Sequence, residues 1–198
     1  MYYRMNLAHC LAKAKIEAPA KTVLKLEQFA SVLHAWNQIH NLTGAKTIEA
    51  IYDNILDALY PVTFINTPDS LLDVGTGAGF PGMVLGIFYE GVETVLCEPL
   101  NKRASFLKFL TAELELPHVT VAKMRVERLR HTPFGLITSR AVTDTRLLLD
   151  LTGQLSDTHT HYLFYKGGQV FQELEAAQHQ LNYAIVSRDK RNYLWIKA

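Results

Sequence analysis

A glycine-rich segment at residues 71–82 restricts the possible fold of this chain more than any other feature. It reads Leu-Leu-Asp-Val-Gly-Thr-Gly-Ala-Gly-Phe-Pro-Gly, an apolar strand that runs through Asp73 into a loop and then into a helix that begins near Pro81. The loop glycines are Gly75, Gly77 and Gly79. Because glycine lacks a Cβ, such a loop lets the backbone approach a ligand closely. The pattern predicts a nucleotide-type binding loop.

Short apolar strands alternate with helical stretches from Leu71 onward. The strands are predicted near residues 70–75, 93–98, 118–123, 134–139 and 160–166, and the helices near 81–90, 101–115, 143–154 and 168–181. This alternation favours a mostly parallel sheet with right-handed crossovers. The apolar segments 184–186 and 193–196, separated by the polar residues 189–192, instead predict a C-terminal antiparallel hairpin. The fold class expected is α/β, with a Rossmann-like sheet.

The first third of the chain has helical rather than strand periodicity. Apolar residues recur at three-to-four spacing from Leu7 to Ala18 and from Val23 to Trp36, and a third helix is predicted from Thr47 to Leu59. Since 198 residues suit a single core, we predict one compact unit. It consists of an N-terminal helical extension over residues 1–66 and an α/β domain over residues 67–198.

Cysteine usage and hydropathy bound the class of protein. Cys10 and Cys97 form neither a metal-binding spacing nor a disulfide framework. The first twenty residues lack a signal-peptide pattern, and no apolar run approaches the roughly 18 to 20 residues that a membrane span needs. We therefore expect a reduced, cytoplasmic, monomeric protein without a metal or a membrane partner.

The net charge of +1 conceals a strong segregation of charge along the chain. Residues 47–100 contain eight acids and no Lys or Arg, whereas residues 1–46 contain six basic side chains against two acids. Residues 101–146 contain nine basic side chains against four acids. Two basic blocks therefore flank an acidic one, which is compatible with a nucleic-acid partner and equally with ordinary solvated helix faces.

Two ligand classes are compatible with the glycine loop, because residues 77–82 also match the dinucleotide-binding pattern. A dinucleotide brings a pyrophosphate, whereas S-adenosylmethionine brings a sulfonium, an ammonium and one carboxylate. The nearby Asp73, and the lack of Lys or Arg from 47 to 100, favour an acid-rich lining and therefore the methyl donor. A dinucleotide enzyme is the alternative.

Two further segments are candidate donor contacts. Glu98 ends the second predicted strand, about twenty residues after the glycines, where a carboxylate would accept hydrogen bonds from both ribose hydroxyls. Its other interpretation is an exposed acid at a strand end. Arg125-Val126-Glu127 follows the third strand, at the edge where an adenine would lie.

The segment after the fourth strand narrows the possible methyl acceptors. Exocyclic amines usually require an Asn/Asp-Pro-Pro-aromatic loop there, but this chain has Thr-Ser-Arg-Ala-Val at residues 138–142. Pyrimidine carbon-5 requires a cysteine nucleophile, and both cysteines are predicted to be structural. Guanine N7 has a free lone pair and needs no general base. Arg140 is a candidate to orient a nucleobase or phosphate, or a member of a structural salt bridge.

Together these residues resemble the RsmG (GidB) family, bacterial methyltransferases that modify guanine N7 in 16S ribosomal RNA. The resemblance spans nearly the whole chain and includes the glycine loop. The other matching segments are Trp36-Asn37, His40-Asn41-Leu42-Thr43, Asn101-Lys102-Arg103, Phe106-Leu107, Arg125-Val126-Glu127, Ser139-Arg140-Ala141 and Tyr165-Lys166-Gly167. A class I methyltransferase sheet is the fold that this resemblance implies.

The resemblance also implies a reaction and a site. The chain would methylate a guanine of the 530 loop, at a position of the guanine 527 type, in 16S ribosomal RNA on the small subunit or an assembly intermediate. Gly75, Phe80, Val126, Glu127 and Arg140 would contact S-adenosylmethionine or border its site. The flanking basic surface would meet the RNA, and Lys166 joins Arg140 as a candidate to orient the substrate.

One segment departs from the family pattern. The family usually has Arg-His in the helix that ends Asp-Ser-Leu, whereas this chain has Asp53-Asn54. The usual cationic contact is therefore absent, and we expect the basic stretches at Lys102-Arg103 and residues 125–130 to provide more of the phosphate binding. Two alternatives stay open, a catalytically inert RNA-binding or assembly module that kept the fold, and a small-molecule methyltransferase or NAD enzyme.

Overall fold

The computed structural model describes residues 6–140, 142–176 and 182–197 and contains one seven-stranded sheet. The strands are β1 (Ser70–Val74), β2 (Glu93–Cys97), β3 (Val119–Ala122), β4 (Leu136–Arg140), β5 (His161–Lys166), β6 (Tyr183–Arg188) and β7 (Arg191–Ile196). The helices are α1 (Leu7–Lys13), α2 (Ala20–His40), α3 (Ile48–Leu59), α4 (Gly82–Phe88), α5 (Asn101–Glu113), α6 (Thr145–Thr152) and α7 (Val170–Ala176). The mixed α/β fold predicted from the sequence is confirmed.

The strand order, β3-β2-β1-β4-β5-β7-β6, reverses at β1. Strands β1 to β5 are parallel, and β7 runs antiparallel to both β5 and β6. Val74 pairs with Cys97 on one side and with Ser139 on the other. The carboxyl ends of β1, β2 and β4 therefore meet at one edge, which is where ligands bind in doubly wound sheets.

Strand and helix ends lie within a few residues of the predicted ones. The strands β1 to β5 are slightly shorter than predicted, and the C-terminal hairpin is formed by β6 and β7. The predicted helix at 168–181 is helical over Val170–Ala176, and its portion at 177–181 lies outside the described residues.

Alternating side chains of the strands divide the core into two layers. On β1, Leu71 joins the cluster that contains α2 to α5, whereas Leu72 and Val74 join the cluster that contains α6. This is the two-residue period of a strand buried on both faces. The near-continuous apolar runs in the sequence follow from that burial.

Helix α2 buries one face against the sheet domain. Its residues Leu26, Phe29, Ala30 and Leu33 recur at three-to-four spacing and are fully buried. The helix ends at Asn41, whose φ of 49° is left-handed and whose amide donates to the Asn37 carbonyl. Although α2 has 21 residues, none of the helices in the described parts of the chain has the length and apolarity that crossing a bilayer requires.

The helical extension shares its core with the α/β domain. The Phe29 ring meets the Phe80 ring edge to face with centroids 5.4 Å apart, and it belongs to the same buried cluster as Met83 and Leu107. The Tyr165 hydroxyl of β5 also donates to the Ala58 carbonyl of α3 at 2.7 Å. The boundary between residues 1–66 and 67–198 stays a prediction, but the packing crosses it.

Truncation of Phe29 tests this shared core. We expect Phe29→Ala to lower the free energy of unfolding by about 3–5 kcal/mol, because it removes a fully buried ring and leaves a cavity. The matched control is Leu24→Ala on the same helix, where the side chain is 65% exposed and the expected change is within about 0.5 kcal/mol. Urea unfolding followed by tryptophan fluorescence and circular dichroism gives both values. Equal costs for the two variants would contradict the shared core.

Candidate functional site

A cleft of about 570 Å³ opens at the carboxyl ends of β1, β2 and β4. Its walls come from the glycine loop, the ends of β2 and β4, the start of α5 and the segment that follows α2. The lining residues are Leu42, Thr43, Gly44, Gly75, Thr76, Gly77, Ala78, Phe80, Glu98, Pro99, Leu100, Arg103, Arg140 and Val142. Of the predicted site residues, the structure brings Gly75, Gly77, Phe80, Glu98 and Arg140 together in this cleft.

The glycines of the loop have different surroundings. Gly75 has a φ of +69°, and a Cβ there would lie 2.5 Å from the Val142 Cγ2 atom. Gly77 has a φ of +60°, and a Cβ there would meet only the Gly75 carbonyl oxygen, at 3.9 Å, so a ligand can approach its backbone. Gly79 instead packs toward Met83 and Phe29 and does not line the cleft.

Glu98 connects the glycine loop to the end of β2. The residue is only 2% exposed, its Oε2 accepts from the Gly77 amide at 2.9 Å, and its Oε1 accepts from the Leu100 amide at 2.8 Å. Each carboxylate oxygen can accept a second hydrogen bond. Glu98 therefore shapes the loop and keeps acceptor capacity at the cleft wall. It is not the exposed acid of the alternative interpretation.

Asp73 lies beneath the loop and not in the cleft lining. Its Oδ2 accepts from the Gly82 amide at 2.8 Å and its Oδ1 from the Thr138 hydroxyl at 2.9 Å. Complete burial raises the pKa of Asp73 to about 6, against the opposing effect of hydrogen bonds from Thr138 and Gly82. Asp73 thus connects β1 to the start of α4 by a hydrogen bond and stabilises the backbone of the loop that lines the cleft.

Arg140, at the end of β4, is both a cleft residue and a member of a salt bridge. Its Nη1 donates to Asn54 Oδ1 at 2.9 Å and to Asp57 Oδ2 at 3.3 Å. Its guanidinium also lies 4.9 Å from the centroid of the Phe80 ring. The two interpretations of Arg140 are therefore not exclusive, because the salt bridge holds the guanidinium at the cleft.

The charge of the lining differs from the sequence-based expectation. The prediction of an acid-rich lining was wrong. Among the described residues, Glu98 is the only carboxylate of the lining, whereas Arg103 and Arg140 contribute two guanidinium groups. Both cations come from outside residues 47–100, the window that contains no Lys or Arg. Their arrival in the cleft depends on tertiary structure, which a local charge count does not detect.

The segment after α2 forms a wall of the cleft, a role that the sequence motifs alone did not reveal. Buried Asn37 donates from Nδ2 to the Ala45 carbonyl at 2.8 Å, and its Oδ1 accepts from the Thr43 amide at 2.9 Å. Lys102 donates to the His40 carbonyl at 2.7 Å. These bonds hold Leu42, Thr43 and Gly44 at the cleft. In the sequence, the signal for this role was Asn37, a polar residue in an otherwise apolar helix face.

Besides Asp73 and Gly79, three further predicted site residues lie outside the cleft lining. Val126 is buried in a short 3₁₀ turn, Val126–Arg128, and Glu127 beside it is exposed. Lys166 is 7% exposed, and its Nζ donates to the Thr143 carbonyl at 2.9 Å and to Glu173 Oε2 at 2.8 Å. Lys166 therefore joins the loop after β4 to α7. Contacts of these three residues with a ligand stay predictions.

The chemistry of Cys97 agrees with a structural role. Burial raises the pKa of its thiol to about 12, with further contributions from Asp73, Glu98 and Glu127. Its Sγ donates to the Met124 carbonyl at 3.2 Å. A thiol in this state is a poor nucleophile. In the parts of the chain that are described, no group of three or more His, Cys, Asp or Glu side chains could hold a metal ion.

The raised pKa of Asp73 predicts a pH dependence of stability. An unfolded Asp titrates near about 3.9, so between about pH 4 and 6 the folded state keeps a proton that the unfolded state has lost. The free energy of unfolding should therefore fall as pH rises through this window, by up to about 1.4 kcal/mol per pH unit, and then level off.

Urea unfolding of the wild type and Asp73→Asn across this window measures the effect. Asn does not titrate, and its amide can donate to Thr138 while its oxygen accepts from Gly82. The difference in the free energy of unfolding between the two proteins should reproduce the fall, because other carboxylates cancel. A constant difference would show that Asp73 titrates normally.

Comparison with known sequences identifies relatives that span almost the whole chain. The family model of GidB, described as rRNA small subunit methyltransferase G, matches residues 22–192. A protein named ribosomal RNA small subunit methyltransferase G from Aliarcobacter butzleri is 48% identical over 171 residues, 86% of this chain and 88% of that one. The protein of the same name from Wolinella succinogenes is 40% identical over 190 residues, 96% and 97% of the two chains.

Solved structures of low sequence identity share the fold. An O-methyltransferase from Bacillus cereus in complex with SAH has a TM-score of 0.64 at 14% identity and covers 96% of each chain. A SAM-dependent methyltransferase from Aquifex aeolicus has a TM-score of 0.58 at 14% identity, with 71% of this chain and 88% of that one covered. The sheet is thus that of class I methyltransferases, and the sequence matches show that the chain belongs to the GidB family of rRNA small subunit methyltransferases G.

Proposed function

We propose that this chain transfers the methyl group of S-adenosylmethionine to N7 of a guanine in 16S ribosomal RNA. The target is a 530-loop guanine at a position of the guanine 527 type, as the resemblance implies. The substrate is the RNA of the small subunit or of its assembly intermediate. Membership in a family of ribosomal RNA methyltransferases supports the reaction class, and the chemistry of the cleft supports the choice of N7.

The composition of the cleft lining carries this proposal. Among the lining residues that are described, Glu98 has the only carboxylate, and both of its oxygens already accept amide hydrogen bonds. No His, Cys, Tyr or Lys occurs among them. Methylation of guanine N7 removes no proton, so positioning and electrostatics suffice for catalysis.

The arrangement around Gly77 fits the methyl donor. S-adenosylmethionine supplies an electrophilic methyl group on its sulfonium when it is bound. The remaining acceptor capacity of Glu98 suits the ribose hydroxyls, and the open backbone of Gly77 allows close approach. Arg103 and Arg140 provide positive charge for the donor carboxylate or for an RNA phosphate.

Basic side chains near the cleft are suited to an RNA backbone. Lys102 and Arg103 lie in the first turn of α5, beside the cleft. Lys123, Arg125 and Arg128 are exposed at or after the end of β3. Contacts of such side chains with phosphates position an RNA and make its affinity depend on salt.

Methyl transfer to small-subunit particles tests the proposal directly. Particles from cells that lack the gene are incubated with the chain and labelled S-adenosylmethionine, and borohydride and aniline then cleave the RNA at any 7-methylguanosine. We expect label and cleavage at one guanine of the 530 loop. Donor binding without any methyl transfer would indicate an inert RNA-binding or assembly module, and failure to bind the donor would refute the proposal.

Substitution of Arg140 tests the cleft geometry. We expect Arg140→Met to lower kcat/KM for the RNA by about 100-fold, because loss of the guanidinium releases the contacts with Phe80 and Asp57 and misplaces the reacting groups. Arg146→Met, at an exposed position of α6, is the control and should leave kcat/KM unchanged. Thermal melting of both variants separates loss of activity from loss of folding. Equal kcat/KM values in both variants would exclude a role for Arg140.

A further inference from the structure

A second cleft, of about 460 Å³, lies beside the first. It is formed by α3 and the turn between β6 and β7, and we call it the hairpin cleft. Its lining residues are Asp53, Leu56, Asp57, Arg188, Asp189, Lys190, Arg191 and Tyr193. Asp57 lines this cleft, Arg140 lines the first, and their side chains are 3.3 Å apart. One ion pair therefore separates the two clefts.

Strand register places the hairpin cleft at the ligand-binding edge of the sheet. Lys166, the last residue of β5, pairs with Asn192, and Arg188 pairs with Arg191 across the turn. The β6–β7 turn therefore lies beyond the carboxyl end of β5. Tyr165, one residue earlier on β5, pairs with Arg140 of β4. The turn and the end of β4 are thus on the same edge.

The basic side chains of this cleft are positioned to bind an anion. The Arg188 guanidinium lies 4.7 Å from the centroid of the Tyr60 ring, which restricts its conformations. Arg191 donates from Nε to Asp57 Oδ1 at 3.0 Å, and its two terminal nitrogens make no hydrogen bond to the described residues. Lys190 is exposed and has no ion-pair partner among the described residues.

The carboxylates of the hairpin cleft are matched by cations of the lining and by one guanidinium from the first cleft. The cleft is lined by three cations, Arg188, Lys190 and Arg191, and by three carboxylates, Asp53, Asp57 and Asp189. Arg140, which lines the first cleft, adds a second guanidinium to Asp57. Asp57 is shared between Arg140 and Arg191, and the Tyr193 hydroxyl also donates to it at 3.0 Å. Two guanidinium groups thus share one carboxylate, and their charge together with that of the exposed Lys190 can neutralise a single phosphodiester.

We propose that the hairpin cleft binds a backbone phosphodiester of the RNA strand beside the acceptor nucleotide. This inference rests on the proposed function, because it assumes that RNA is the substrate. Guanidinium forks and a lysine ammonium bind phosphate oxygens through charge-assisted hydrogen bonds. With the phosphate on one side of Arg140 and the methyl donor on the other, the ion-pair wall fixes the distance between the RNA backbone and the transferred methyl group.

This subsite differs in place from the basic stretches on α5 and after β3. It is formed by α3 and the C-terminal hairpin, and the three cations of its lining all lie within the four residues Arg188 to Arg191. The hairpin thereby supplies positive charge to the face of α3 that carries Asp53, where this chain lacks the basic residue usual in its family.

Salt dependence of RNA binding tests the subsite. Affinity for a 530-loop fragment of 16S ribosomal RNA is measured across a series of potassium chloride concentrations, without donor, for the wild type, Lys190→Ala and Arg188→Ala. We expect each variant to weaken binding by about 3- to 10-fold and to reduce the slope of log affinity against log salt by about 0.7 to 0.9, the value for one lost phosphate contact. Calorimetric affinity for S-adenosylmethionine should not change.

The matched control is Lys13→Ala, an exposed lysine in the last turn of α1. If both hairpin variants have the slope and affinity of this control, the subsite is refuted, even when the wild type methylates guanine N7. If the hairpin variants reduce the slope but the wild type transfers no methyl group to N7, the subsite stands and the proposed reaction is wrong. Thermal melting confirms that each variant is folded.

Discussion

The ion pair between Arg140 and Asp57 joins parts of the chain that are far apart in sequence. Arg140 ends β4, Asp57 lies on α3, and Arg191, which shares Asp57, begins β7. Both side chains of the pair are only 17% exposed, so removal of one would leave a poorly compensated charge. Hydrogen bonds to Asn54 and from Tyr193 complete the cluster. The positions of α3, β4 and the hairpin, and hence of both clefts, depend on it.

Local sequence patterns were sufficient to predict most of the fold. The strands are short apolar runs because both faces of the sheet are buried, and the glycine loop is marked by residues whose φ is positive. The position of Glu98 in the cleft could also be predicted, because the carboxyl ends of parallel strands meet at the ligand-binding edge of the sheet. These signals depend on a few consecutive residues, so they can be recognised without knowledge of tertiary contacts.

The rest of the site could not be predicted, because it is assembled from distant segments. The positive charge of the first cleft comes from α5 and β4, so the acid-rich window around the glycine loop was misleading. The strand position of Asp73 suggested a ligand contact, but its carboxylate is occupied by the Gly82 amide and the Thr138 hydroxyl. Asn54, which departs from the family pattern, binds Arg140 across 86 residues of sequence. No local pattern encodes such a pairing.

The contact of Phe29 with Phe80 connects the N-terminal extension to the cleft in which we propose that the methyl donor binds. Phe80 lines the cleft, and its ring makes a cation–π contact with the Arg140 guanidinium and an edge-to-face contact with Phe29 of α2. A ligand that binds only the folded state stabilises it, by about 2.7 kcal/mol at a hundredfold excess over Kd. Since α2 packs against the glycine loop, local opening of α2 would disturb the cleft. A methyl donor bound there would therefore protect α2 from local opening, and the helical extension and the loop would open as one cooperative unit.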